Sequence, residues 1–575
     1  GELDYIESIS QEGLSVVYAE IKPKIHSLKL PQVWDKLRKK IADVQKDLPP
    51  GSFPSDVFDD FGDVYGIFFA ITGDGYSYAE LKDYAESLKK ELLLVRDVAK
   101  IDYWGIQDKI IYVEFDRAKI ATLGISPEQI YQTIKLQNCV EPKGKVKINN
   151  EYLRFHPTGN LSSVETISNI YIGSQKDKLT RLRDIAKIYQ GYIDPPNSLL
   201  RFNGKPGIGF GISIEDNGNV VKMGEAVQKR LQKLKTSKPS GINIHIINFQ
   251  PDRVTKSLDD FLVNFVEAVI IVLVLMLFFM GIRIGFLISF ILILTILTTF
   301  IGMYIFGTNL QLISLGGLII ALGMLVDNSI VIADVFLVKM EKGIDRKKAA
   351  YKSVKETQLP LLGATLVAIL AFTPIGFNPG NVGEFCRSLF DVIALSLLLS
   401  WLFAITLVPL FSLWLLKQPK IIKQDPYNTK WYKRYRVFLN ICIYNKKITL
   451  AILFLILILS IFCFKYVPKS FFEGTKRNQF VVDYWKPQST HIKSTRDDIA
   501  KIENFLMKQD NCKSVTSFIG EGALRFILTY VYHAPNTSYG QILIEVKDYY
   551  KMAELMQKCK KYINANFPDS EAKIN

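Results

Sequence analysis

Gly316-Gly317-Leu318-Ile319-Ile320-Ala321-Leu322-Gly323-Met324-Leu325-Val326-Asp327-Asn328-Ser329-Ile330-Val331-Ile332-Ala333-Asp334 is apolar enough for a bilayer, yet it carries carboxylates. With its flanks, 310–336, it exceeds the ~20 apolar residues a membrane helix requires. On a helix of ~3.6 residues per turn, Gly316, Gly323, Asp327 and Asp334 follow steps of seven, four and seven and share one narrow face. Small residues let a second helix approach closely, so this face is expected to pack in a bundle, with Asp327 turned away from lipid. A mid-membrane carboxylate is costly and marks an ion or proton pathway. The competing reading is a structural, hydrogen-bonding Asp. Asn328 lies ~100° around the helix and can hydrogen-bond but not titrate.

Five further apolar segments surround this one, at 261–280, 284–306, 359–377, 389–416 and 448–466. Each is near spanning length once tilt is allowed. Basic residues crowd two of the connections: Lys339, Lys342, Arg346, Lys347, Lys348, Lys352 and Lys355 in one, 417–447 in the other. The alternate connections are nearly free of them, with none at 307–309 and only Arg387 in 378–388. The positive-inside rule places both basic loops in the cytoplasm and both soluble regions on the outer side. The net charge of +15 is thereby accounted for without nucleic acid. Glu267 and Asp391 sit near the outer ends of their spans and read as structural. Thr295, Thr298 and Thr299 are expected to bond their own helix carbonyls, and Pro374 to kink or end its helix.

The flanks read as soluble α/β sequence. Residues 13–21 alternate as a strand and 30–44 form an amphipathic helix that stops at Pro49-Pro50-Gly51. Strands follow at 64–72, 99–104, 109–115, 151–156 and 170–172, with helices at 78–94 and 126–136. A β-α-β unit covers 207–214, 220–234 and 242–247. After the spans the pattern repeats: strand 479–485, helix 490–507, strands 514–519 and 541–547, helix 552–567 and the opening of a strand at 572–575. The fold class is therefore an α+β membrane protein: a transmembrane helical bundle with outer subdomains of split βαβ (ferredoxin-like) type. Neither flank offers a nucleophile with its base, a phosphate loop or a metal cluster, so the chain reads as no enzyme and as needing no cofactor. The six cysteines lack ligand spacing and read as free thiols.

Gly323-Met324-Leu325-Val326-Asp327-Asn328-Ser329-Ile330-Val331 resembles the fourth transmembrane helix of the resistance-nodulation-division efflux transporters. Ser15-Val16-Val17 after Glu12-Gly13, Arg183-Asp184-Ile185-Ala186, Phe372-Thr373-Pro374, Thr406-Leu407-Val408-Pro409 and Ser538-Tyr539-Gly540-Gln541 resemble other motifs of that family. The resemblance implies a partial first porter subdomain at 1–62 and the first part of a second at 63–108. A docking-type subdomain at 109–188 and a porter continuation at 189–258 would follow. Next come six transmembrane helices over 259–467, with cytoplasmic loops 339–356 and 417–447, and a partial third porter subdomain at 468–575. It further implies a multi-pass protein of the bacterial inner membrane with large periplasmic regions. Such a protein would be a homotrimer in membrane lipid, working with a periplasmic adaptor protein and an outer-membrane channel. It would export drugs or other small amphiphilic substrates against proton inflow. Asp327 would be the relay carboxylate, with Asn328 where many members carry a second Asp, and Asp334 further along the helix. The sparse methionines argue against the family's copper and silver exporters.

The N-terminus opens inside a folded-looking segment, and the expectation is of a partial chain lacking a first span and most of a second half. The relay's partners, a Lys and a Thr by resemblance, would lie in that half, so this chain alone is not expected to pump. The alternatives are a lipid- or sterol-handling or protein-export accessory protein of related architecture, or a non-transporting remnant of a truncated gene.

Overall fold

Two blocks of sequence far apart in the chain build one nine-stranded sheet. The computed structural model describes residues 2–11, 13–23, 25, 29–59, 62–138, 145–148, 151–154, 161, 163–173, 179–215, 218–378, 381–416, 430–467, 477–530 and 532–575. The first block supplies β1 (Ile67–Gly73), β2 (Val98–Trp104), β3 (Leu199–Phe202), β4 (Lys205–Ile214) and β5 (Ile242–Phe249). The second supplies β6 (Gln479–Trp485), β7 (Cys512–Ile519), β8 (Tyr539–Val546) and β9 (Glu571–Ile574). The strands run β5-β1-β4-β3-β7-β8-β6-β9, with β2 also on β4. Without β3, each block has the same order, fourth-first-third-second. β3 is the splice: Leu200 pairs with Gly207 of β4, and Leu199 with Ile519 of β7.

Alternation along β1 feeds two cores, because successive side chains leave opposite faces of a strand. Ile67, Phe69 and Ile71 pack under helices Tyr78–Leu92 and Val220–Leu234, whereas Phe68 and Ala70 join Trp104, Leu200, Phe518 and Phe526 on the other face. In β4 the residues alternating with Ile208, Phe210 and Ile212 are Gly207, Gly209 and Gly211, and the crowding explains them. A Cβ on Gly207 would sit 2.7 Å from the Ile71 carbonyl oxygen. Helix Tyr78–Leu92 begins with a capping box of Ser77 and Glu80. Helices Ile492–Met507 and Met552–Asn566 cover the second block around Ile499, Ile502, Leu555 and Cys559.

The sequence reading missed β3, the strand Ala186–Tyr192 that pairs with Lys109–Phe115, and the strand Leu3–Gln11 that pairs with Leu14–Ile21. Their short or irregular apolar runs give weak alternation. Strand 151–156 is described only as Glu151–Arg154; residues 155–160 lie outside the described residues.

The other compact unit takes in Arg253–Thr475 together with Gly1–Asp59. Six helices among the described residues are long and apolar enough to cross a membrane: α1 (Gln250–Met280), α2 (Ile282–Phe306), α3 (Leu312–Glu341), α4 (Arg346–Gly376), α5 (Asn381–Leu415) and α6 (Lys446–Phe464). At ~1.5 Å per residue α1 is ~46 Å long, more than the ~30 Å hydrocarbon layer. Its first turns carry Asp252, Arg253, Lys256, Asp259 and Asp260, which suit water.

The basic stretch 339–356, expected as a loop, is instead helical except for 342–345. Its charges therefore sit on the end turns of α3 and α4. In the second basic stretch, 417–429 lie outside the described residues, and Lys430–Tyr444 is a helix. Pro374 does not end α4, which runs on to Gly376.

Candidate functional site: the outward face of α3

α3 is fixed on one side and open on the other. Its inner side, Leu315, Leu318, Leu322, Leu325, Ser329, Ile332 and Phe336, is buried. Around it, α2 and α5 contribute Ile288, Ile291, Leu292, Val392, Ile393 and Leu397. Gly317 makes the close approach to α5: a Cβ there would lie 3.0 Å from the Leu389 carbonyl oxygen.

Polar ties hold the inner side at successive levels. Gln311 Nε2 donates to Ser388 Oγ at 2.8 Å, and Ser400 Oγ to the Leu325 carbonyl at 2.6 Å. Asn328 Nδ2 reaches Thr365 Oγ1 on α4 at 3.4 Å. At the charged end Lys339 Nζ meets Glu356 Oε1 at 2.6 Å. Arg346 donates to the Leu413 and Leu416 carbonyls, where cations suit a helix C-terminus. Thr295, Thr298 and Thr299 each bond the carbonyl four residues back, all at 2.8 Å.

Of the residues expected at the site, Gly316, Gly323, Asp327 and Asp334 occupy the open side and Asn328 does not. Gly323, Asp327 and Asp334 are exposed and Gly316 is half-buried, with Ile320 and Val331 exposed between them. The helical spacing does bring them onto one face. No described helix of this chain packs on that face, and Asp327 is exposed on it. A Cβ on Gly316 or Gly323 would meet nothing within 4 Å among the described residues. The physical reason is plain. Spacing sets which residues share a face, but the neighbour that meets it is chosen by the rest of the fold.

Asp327 and Asn328 thus part company, one facing out and the other buried against α4. Sequence reasoning missed Gly317, Thr365 and Ser400, which position α3. Polar Thr365 and Ser400 inside apolar runs were the available signal. No group of three or more His, Cys, Asp or Glu among the described residues is placed to hold a metal ion.

A sequence model of the AcrB/AcrD/AcrF family matches residues 1–564, nearly the whole chain. The chain belongs to the AcrB/AcrD/AcrF family. This is the resistance-nodulation-division family that the α3 motif resembles, a family of transporters. Multidrug resistance protein MdtC of Yersinia pestis bv. Antiqua (strain Angola) is 22% identical over 462 residues, 79% of this chain and 45% of the relative. MdtC of Yersinia pseudotuberculosis serotype O:3 (strain YPIII) matches to the same extent. The chain spans about half the length of these curated relatives. Six apolar helices and the AcrB/AcrD/AcrF match together make it a membrane-embedded protein.

Proposed function

We propose that this chain is part of a proton-driven exporter of drugs or other amphiphiles, with Asp327 as its proton-carrying group. The observation that carries the reading is the carboxylate's position. Asp327 stands midway along an apolar helix, on the one side of α3 that α2, α4 and α5 leave open. Neither Asp327 nor Asp334 makes an ion pair with another described residue. Gly316 and Gly323 leave room there for a further helix, and a cation on it would complete the relay. Protonation changes a charge in a low-dielectric setting and so biases helix packing between discrete arrangements. Asn328, tied to Thr365, is assigned the positioning of α3 and Asp334 the continuation of the proton route.

The repeated fourth-first-third-second strand order supports reading both sheet blocks as porter subdomains of split βαβ type. Family membership and the basic residues at 339–356 support placement in a bacterial inner membrane with the sheet unit periplasmic. The likeness to multidrug resistance protein MdtC supports a multidrug substrate range. A homotrimer working with a periplasmic adaptor and an outer-membrane channel completes the proposal.

The test is Asp327→Asn in the full-length protein, with substrate efflux followed in energised cells and after an uncoupler. Efflux is expected to fall to the uncoupled level while expression and membrane insertion stay normal. Undiminished proton-dependent efflux would overturn the relay role.

A further inference from the structure

The sheet unit carries a groove of about 210 Å³ where helix Tyr78–Leu92, the end of helix Val220–Leu234 and the edge strand β5 meet. It arises where the core runs out. Leu88 and Val227, each within the two helices, are buried against the sheet. One turn beyond Leu231 the second helix stops, and residues 235–241 turn back to start β5. Leu231, Leu234 and Ile244 are left half-buried at the margin of that core and make an apolar floor.

The rim of the groove is cationic, with Lys235 exposed and Lys238 half-buried beside the floor. The Lys238 ammonium donates to the Ile242 carbonyl, which holds it in place and leaves two of its three protons for another acceptor. The helix end does not consume the lysines. Thr236 Oγ1 donates to the Lys233 carbonyl at 3.2 Å, and Ser237 Oγ to the Leu234 carbonyl at 3.0 Å. Neither Lys235 nor Lys238 makes an ion pair with another described residue, and no described Asp or Glu lines the groove. Two acids of the adjoining elements are already matched: Glu91 pairs with Arg230, and Asp74 with Lys205 at 2.7 Å. Tyr84 supplies a third polar group. Burial holds its phenol above the ordinary tyrosine range, so it stays a neutral donor, and it makes no hydrogen bond with another described residue.

Charge and shape together name the occupant. An apolar floor alone would take any hydrocarbon, and ammonium groups alone would be served by water and salt. Placed side by side, they complement an anion that carries an apolar body. We propose that this groove binds a small organic carboxylate. Its charged end lies on Lys238 and Lys235, with the Tyr84 hydroxyl as a further donor, and its body lies on Leu231, Leu234 and Ile244. The proposal rests on the groove and not on the Asp327 relay.

The probe is 4-fluorophenylacetate, followed by fluorine line broadening on the full chain in detergent, with protein-free micelles as the baseline. A Kd on the order of 1 mM is expected for a ligand of this size. The neutral 4-fluorophenylacetamide should bind about tenfold more weakly, because it forgoes charge-assisted hydrogen bonds. Lys235→Gln together with Lys238→Gln should weaken the acid by about tenfold and leave the amide unchanged. Lys235→Arg together with Lys238→Arg keeps both charges and should keep the affinity. Lys233→Gln removes a charge outside the groove and should alter neither ligand. Asp327→Asn should also leave the acid's affinity unchanged, so the relay and the groove are tested separately. Broadening no greater than the micelle baseline overturns the proposal, and equal affinity for acid and amide overturns the anionic preference. An acid affinity that survives the paired Gln substitutions, or that falls as far with Lys233→Gln, overturns the placement at Lys235 and Lys238. Loss of both ligands in the paired Arg variant would show that the lysines shape the fold and not the ligand's charge contact, and equally overturns it.

Discussion

Gly317 presses against the backbone of Leu389, so close that a Cβ would stand 3.0 Å from the Leu389 carbonyl oxygen. The contact is with backbone, which cannot rotate aside as a side chain does. Its neighbour Gly316 and, two turns on, Gly323 have open space at the same point.

Gly317→Ala is expected to destabilise the helical unit by about 1–3 kcal/mol, the range for overpacking a close contact. Gly316→Ala and Gly323→Ala should change stability by no more than ~1 kcal/mol, since alanine is the better helix former and meets nothing. Thermal unfolding of the three variants in detergent checks this. Equal losses at all three positions would show that the open face is packed.

A double-mutant cycle of Asn328→Ala and Thr365→Val should give a coupling of about 0.6 kcal/mol, typical of a hydrogen bond between membrane helices. The 3.4 Å separation suits the weak end of such bonds. Zero coupling in the unfolding energies would remove Thr365 as the partner that positions Asn328.

Arg201 Nε lies 2.9 Å from Glu503 Oε2, with Glu503 only 1% exposed. This pair ties β3 to the helix Ile492–Met507. Removing one partner strands a buried charge, so Arg201→Ala should cost about 3–5 kcal/mol in denaturant unfolding. Lys205→Ala, which breaks the exposed pair with Asp74, should cost only about 0–1 kcal/mol. Comparable losses for the two would contradict the difference in burial.

Glu521 accepts a hydrogen bond from the Tyr532 hydroxyl, and burial holds its carboxyl above the ordinary glutamate range. The folded chain therefore keeps this proton to higher pH than the unfolded chain. The stabilisation is fully present below the ordinary glutamate value and is lost as pH rises through the raised one. The melting temperature of the native protein minus that of Glu521→Gln should accordingly fall as pH rises across that window. A flat difference would show that the carboxyl titrates alike in both states.

The sequence alone determined much of this protein. Apolar runs of membrane length are set by composition, so all six spans were legible, although α1 begins at Gln250 and not near 261. Helical spacing likewise put Gly316, Gly323, Asp327 and Asp334 on one face, because periodicity is a local property. The helix Val220–Leu234 and strand Gln479–Trp485 follow directly from their periodic side chains. What faces what was decided only in the tertiary structure. A four-residue run, Leu199–Phe202, joins two distant blocks into one sheet through pairings with Gly207 and Ile519 that no local pattern encodes. In the same way, contact at Gly317 and openness at Gly323 depend on where α5 and α4 pack. Residues on one helix decide their own direction, and the partner that meets them comes from elsewhere in the fold.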